Sequence, residues 1–332
     1  MTTYTVGQDR MAPGNRLGVA VEEGTSLPDA LASAHMTGWN VRLTPLLTMD
    51  GEGDGLEFID VPGRFAAIGD DPYVDGRRMV LGSGMTEDYT TVQNEQVAQF
   101  ISDVLDVAGG DLTVQALGSY LGGSRCFVNL RRPEDILIGG SDRIQQDLFL
   151  HWGHDGGTSI QVISKSLRFF CTNQIGGMLG SATAPRFRVR HVGGAHEGRV
   201  QEAREALQIM ARGQSEFERI AEEWAAQAVT NRQFDTIVER LLPDLRPGDV
   251  HPAVATRRMQ ERETLRSIYV HDPMQGNAWG ALNAWTEMGD WHGQHATEEA
   301  RALAQLNSLD LERRRRTGAT AVADLMNLTL AA

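Results

Sequence analysis

The chain has 332 residues, a length that allows two or three domains and a sizeable core without disulfide or metal support. Its content of 41% hydrophobic and 23% charged residues is that of a soluble globular protein, and its formal net charge is −13. This acidic balance argues against nucleic-acid binding through the charge of the whole protein. A local basic surface is still allowed, because salt screens charges beyond about 10 Å.

The first half of the sequence predicts an α+β domain at residues 15–195, after a flexible N-terminus at residues 1–14. Ser26 and Pro28 are typical of a helix start. Two strands around an Asp- and Gly-rich loop then predict a hairpin, and a helix with one apolar face follows at residues 94–108. Apolar and polar residues alternate, as in strands, in the segments 112–116 and 159–169. The strands expected after this helix make the sheet mainly antiparallel. The predicted strands of this half are 39–47, 56–61, 78–82, 112–116, 136–138 and 159–169.

The second half predicts helices. Apolar residues spaced by three and four indicate a long helix at residues 198–229, within a helical region at 196–295, before a C-terminal helix and tail at 296–332. The apolar stripe of the long helix, which includes Leu207 and Met210, fits packing against the next helices or a coiled coil with another copy. Together with unpaired strand edges, it leads us to expect a homo-oligomer.

The distribution of charge is the most informative feature of the sequence. Residues 156–196 form a run of 41 residues without Asp or Glu, and a shorter acid-free run covers residues 112–133. Cations on one face of a sheet can line a groove for single-stranded nucleic acid. Strand alternation puts the phenylalanines between these cations mainly in the core. The predicted nucleic-acid-binding residues are Arg125, Arg131, Arg132, Lys165, Arg168, Arg186, Arg188 and Arg190.

A second cluster could hold a metal. His151 and His154 are three residues apart, Asp155 follows directly, and Cys171 is a further possible ligand for zinc. The glycine pairs of the chain match neither a dinucleotide-binding nor a phosphate-binding loop, so no cofactor is expected. No catalytic residues can be chosen from the sequence, and an enzyme is less favoured than a binding protein.

Short motifs along residues 15–295 together resemble the phage/plasmid-like protein family classified as domain of unknown function 932. The resemblance implies a phage or plasmid origin, and hence a bacterial host cell. The predicted order of a helix, long β-hairpins and a second helix is loosely similar to the order of elements in phage single-strand annealing proteins. This similarity is an analogy of fold only. The matching pieces include Gly38-Trp39-Asn40-Val41, Gly122-Gly123-Ser124-Arg125, His154-Asp155-Gly156-Gly157, Cys171-Thr172-Asn173 and Ala278-Trp279-Gly280-Ala281-Leu282-Asn283-Ala284.

The favoured interpretation is a non-catalytic protein of recombination or replication that binds or anneals single-stranded DNA. A metal-dependent enzyme using His151, His154 and Asp155 is one alternative. Another is a non-catalytic phage structural or host-interaction protein whose arginines pair with its own acids. The sequence shows no secretory signal and no run of 18 apolar residues, so we expect a cytoplasmic protein that does not contact membranes.

Overall fold

The computed structural model shows an α+β protein, which confirms the predicted fold class. It describes residues 17–22, 24–51, 56–168, 186–188, 196–245, 248, 250–293, 295–307, 309–328 and 330. The strands are β1 (Val19–Ala20), β2 (Arg42–Asp50), β3 (Glu57–Asp70), β4 (Arg78–Met85), β5 (Thr113–Tyr120), β6 (Arg125–Arg131), β7 (Ile136–Ile138), β8 (Asp142–Gly153), β9 (Gln161–Arg168) and β10 (Arg186–Arg188).

Eight helices are found in the described residues, most of them in the second half of the chain. They are α1 (Leu27–Ser33), α2 (Asn94–Ala108), α3 (His196–Ala226), α4 (Asn231–Leu241), α5 (Pro252–His271), α6 (Ala278–Trp291), α7 (Glu298–Asn307) and α8 (Leu309–Met326). None of them is long and apolar enough to cross a membrane.

The strands form two antiparallel sheets. The larger sheet has seven strands in the order β1-β5-β6-β8-β9-β10, with β7 also paired to β8. The smaller sheet contains β2, β3 and β4. Both strands of its hairpin extend further than the alternating sequence indicated, β2 to Asp50 and β3 to Asp70.

Helix α3 links two hydrophobic cores. Ala203, Ala206 and Met210 of its first half are buried against the core beneath the larger sheet, which also contains α1 and α2. Phe217 and Trp224 of its second half are buried in a helical core with α4, α5, α6 and α8. The apolar stripe of the long helix therefore packs within its own chain, and the helix ends at Ala226 rather than near residue 229.

Candidate nucleic-acid interface

Strand β6 begins and ends with a predicted DNA-binding arginine, and both arginines form ion pairs with acids of the same chain. At its start, the Nε of Arg125 lies 2.9 Å from the Oδ2 of Asp155. Asp155 also accepts hydrogen bonds from the backbone N–H groups of Gly157 and Thr158. Burial raises the pKa of Asp155, but the hydrogen bonds from Arg125, Gly157 and Thr158 outweigh it and lower the pKa overall. Arg125 therefore holds the turn after β8.

The ion pair at the end of β6 is more deeply buried. The Nε of Arg131 lies 3.4 Å from the Oδ1 of Asp147, and the side chain of Asp147 is almost fully buried. Burial raises the pKa of Asp147, and the charge of Arg131 together with hydrogen bonds from Asn129 and Gln145 offsets part of this effect. Removing Arg131 would leave a buried carboxylate with less compensation. Arg131 is therefore part of the fold as well as a possible phosphate contact.

Arg132 contacts a different part of the molecule from Arg125. It follows β6, where its backbone N–H donates to the carbonyl of Gln146 at 3.1 Å. Its side chain lines a shallow recess together with Leu148 of β8 and with Met210 and Gln214 of α3. Arg132 thus belongs to the side of the sheet that α3 covers.

The backbone register of β9 separates the two cations of that strand. The Cα of Lys165 lies opposite Asp147, which in turn lies opposite Arg131 on β6. The Cα of Arg168 lies opposite Ile144, a buried residue of the helical core. The two cations of β9 therefore have different strand partners on β8, an acid and an apolar residue.

Strand β10 is the last strand of the larger sheet in the described part of the chain. Arg186 pairs with Ile163 of β9, and Arg188 pairs with Gln161. The side chain of Arg188 is exposed, whereas Phe187 between the two arginines is buried in the main core. Alternation along the strand predicted that Phe187 faces the core, and its burial confirms this. Arg190 and Cys171 lie outside the described residues.

Packed apolar side chains cover the centre of the sheet face that carries Arg125 and Arg131. Phe127 and Phe149 stack with ring centroids 5.3 Å apart, and Leu17 and Leu303 pack against them. Both rings are buried, so they cannot stack on bases in this conformation. Of the predicted cations whose side chains are described, Arg188 is the one that is exposed.

A buried polar cluster joins the motifs of the sequence around His154. The Nε2 of His154 lies 3.1 Å from the Oδ1 of Asn94, and that oxygen also accepts a hydrogen bond from the indole of Trp152 at 3.0 Å. Asn94 in turn donates to the carbonyl of Met36 at 2.9 Å, and the thiol of Cys126 lies 3.8 Å from the Nε2 of His154.

The contact with Asn94 implies that His154 carries its proton on Nε2. The Nδ1 atom is buried and has no hydrogen-bond partner among the described residues. Burial lowers the pKa of His154 to about 4, against a smaller opposing effect of the Asp155 charge. His154 is therefore neutral at physiological pH and connects α2, β6 and β8.

The predicted metal cluster is not assembled in the described residues. His151 forms a 2.7 Å contact with the hydroxyl of Tyr120 and stacks on that ring, on one side of the sheet. His154 lies on the other side with Cys126, and Asp155 is paired with Arg125. Among described positions, no group of three His, Cys, Asp or Glu side chains is arranged to hold a metal ion.

Two residues with central positions were not recognised from the sequence. Asn94 was identified as a helix start, although its amide is the centre of the buried cluster. Gly82 packs against the turn after β8, and a Cβ at this position would lie 2.6 Å from the Cα of Asp155. No pattern within a few residues of either position indicates these roles, because both depend on contacts with residues distant in sequence.

The family match covers the region that contains this cluster. The model of the family described as "Domain of unknown function (DUF932)" matches residues 82–316, which is well over half of the chain. The chain belongs to this family. The DUF932 match begins at Gly82, within β4, and ends in α8. No curated protein and no solved structure matches the chain.

Proposed function

We propose that this DUF932 protein is a phage- or plasmid-type protein that binds or anneals single-stranded DNA without catalytic residues of its own. The observation that carries the proposal is the exposed Arg188 on β10, the last strand of the larger sheet among the described residues, within a run of 41 residues that has no acid. An exposed guanidinium group can bind phosphates, and this run contains no carboxylate that would pair with it.

We restrict the proposed interface to cations that are not already paired with acids of the same chain or placed beside α3. Arg125 and Arg131 are paired with Asp155 and Asp147, and Arg132 lies on the side of α3. The proposed contact is therefore the β9–β10 edge, with Arg188 as its described centre. Lys165, Arg186 and Arg190 are included in the proposed contact because they are close to Arg188 or to its strand partners in the sequence.

The salt dependence of binding tests the proposal. A labelled single-stranded oligonucleotide is titrated with the full chain between 50 and 200 mM salt. Contacts to about five phosphates predict that log affinity falls with log salt at a slope of about −3.5. Arg188→Ala should weaken binding to different sequences equally and reduce the steepness of the slope by about 0.7.

Arg313→Ala is the matched control, because Arg313 is an exposed arginine on α8, paired with Asp310 at 3.0 Å. It removes the same charge from a helix that packs against α4 and α6, and it should leave affinity unchanged. If binding is absent at 50 mM salt, or if the two variants behave alike, the proposal is wrong. The triple change Arg186→Ala, Arg188→Ala and Arg190→Ala should abolish most of the affinity.

The ion pairs of Arg125 and Arg131 favour a second candidate, a non-catalytic phage structural or host-interaction protein. In that case the arginines stabilise the sheet by pairing with Asp155 and Asp147, and no nucleic acid binds. The oligonucleotide titration distinguishes the two candidates.

A further inference from the structure

The hairpin of β2 and β3 extends beyond the smaller sheet as a two-stranded β-arm, defined here as residues 46–63. Its described ladder runs from the pair Leu47–Asp60 to the pair Asp50–Glu57. Strand β4 pairs with β3 only from Phe65 onward. Among the described residues, the β-arm therefore has no third strand, and its outer backbone groups are free to pair with another strand.

The β-arm exposes several large apolar side chains. Met49 and Phe58 lie opposite each other in the ladder, and each is 65% exposed. Leu47 extends the same face and is 49% exposed, while Ile59 on the other face is 42% exposed. Single exposed apolar residues are common in proteins, but a cluster on a projecting hairpin indicates a surface that another protein covers.

The charge of the β-arm defines the chemistry of its partner. Residues 46–63 contain five acids and no Lys or Arg. A matching surface must therefore supply positive charge together with an open strand edge. Within the described part of the chain, β10 is such a surface: it is the last strand of the larger sheet, it carries the exposed Arg188, and the acid-free run around it has five cations in the sequence.

We infer that the β-arm of one copy docks along the β10 edge of a second copy. Strand pairing would supply the backbone contacts, the face of Met49 and Phe58 the apolar contact, and the acids of the β-arm the attraction to Arg188. Two different surfaces meet in this contact, so repetition of it generates a filament or a closed ring, the smallest of which is a dimer whose two copies exchange arms. The β-arm and single-stranded DNA are both acidic, so they would exclude each other at this edge.

Charge reversal on either side of the contact tests the inference. The association of the full chain is measured by analytical ultracentrifugation over a range of protein concentrations. Glu57→Arg on the β-arm and Arg188→Glu on β10 each place like charges together, and each should weaken association by about tenfold or more. An equimolar mixture of the two variants should recover association, because the reversed arm faces the reversed edge.

The double variant Glu57→Arg with Arg188→Glu separates this inference from the proposed function. It should regain self-association without regaining oligonucleotide binding. Glu218→Arg is the control, because it reverses an exposed acid on α3, and it should have no effect on association. A second variant, Met49→Ser with Phe58→Ser, removes the apolar contact and should also yield monomers with an unchanged circular dichroism spectrum.

Three results would overturn the inference. The first is a wild-type chain that stays monomeric at high micromolar concentration. The second is association that persists in Glu57→Arg or in the serine variant. The third is a mixture of the two reversed variants that stays dissociated, which would show that the β-arm has a partner other than the β10 edge.

Discussion

The centre of the larger sheet and the β-arm have similar sequence patterns and opposite surroundings. Both consist of antiparallel strands that contain two consecutive apolar residues, Phe127-Val128 in β6 and Phe58-Ile59 in the β-arm. In β6 both faces are covered, so Phe127 and Val128 are equally buried although they point in opposite directions. In the β-arm both faces are open, and Phe58 and Ile59 are exposed on opposite sides.

This difference shows what burial requires of polar groups. Asn129 and Asp147 are buried at the centre of the sheet, and a hydrogen bond of 2.8 Å joins them. The acids of the β-arm need no such partner, because water solvates them. The sheet centre is therefore sensitive to any change, whereas changes in the β-arm should affect association before stability.

The largest effect is expected at the sheet centre. Phe127 is completely buried between Tyr120, Phe149 and Leu17. Phe127→Ala should lower the free energy of unfolding by about 3–5 kcal/mol, because it removes apolar burial and leaves a cavity. Urea unfolding followed by circular dichroism measures this. A loss below about 1 kcal/mol would contradict the closed packing of this face.

An intermediate effect is expected from the buried cluster on the other side of the sheet. The pKa of His154 is lowered from 6.5 to about 4 in the folded protein. As the pH falls from 6.5 to about 4, the unfolded chain takes up a proton that the folded chain does not. The titration of His154 should therefore leave the free energy of unfolding unchanged above pH 6.5 and reduce it by about 3 kcal/mol toward pH 4.

Urea unfolding at pH 7.5 and pH 4.5 measures this contribution. Carboxylates also titrate in this range, so the wild type is compared with His154→Gln. The variant is expected to be less stable at pH 7.5 and to lose less stability than the wild type on acidification. Equal losses in the two proteins would mean that His154 is protonated in the folded state.

The smallest effect is expected in the β-arm. Phe58→Ala removes the same side chain as Phe127→Ala, from a position that is 65% exposed. Its effect on the free energy of unfolding should stay within about 0.5 kcal/mol, measured in the same urea experiment. A loss comparable to that of Phe127→Ala would show that the β-arm packs against its own chain.

Helices with local signals were predicted most accurately. Helix α2 spans residues 94–108 as expected, because Gln93 and Gln96 form a capping box and Gly109 ends the helix with a φ of 64°. Strand β3 continues to Asp70, far beyond the predicted end at residue 61, because its pairing with β4 depends on contacts distant in sequence.

The fold pairs two of the predicted nucleic-acid-binding residues with acids of the same chain. Alternation correctly put Phe187 in the core. The sequence could not show that Asp155 and Asp147, from outside the acid-free runs, pair with Arg125 and Arg131. The metal hypothesis failed in the described residues for a related reason, since His151 is in a strand and His154 in the turn after it, on opposite sides of the sheet.

The sequence alone determined the fold class, the helix with local caps and the separation of acidic from basic segments. These features depend on periodicity and on neighbours a few residues apart. The tertiary structure alone decided which alternating strands are covered, which arginines meet a carboxylate, and that Asn94, Trp152 and His154 share one buried cluster. These contacts join residues up to 60 positions apart, and the free energy of burying a polar group depends on the partners that such contacts provide.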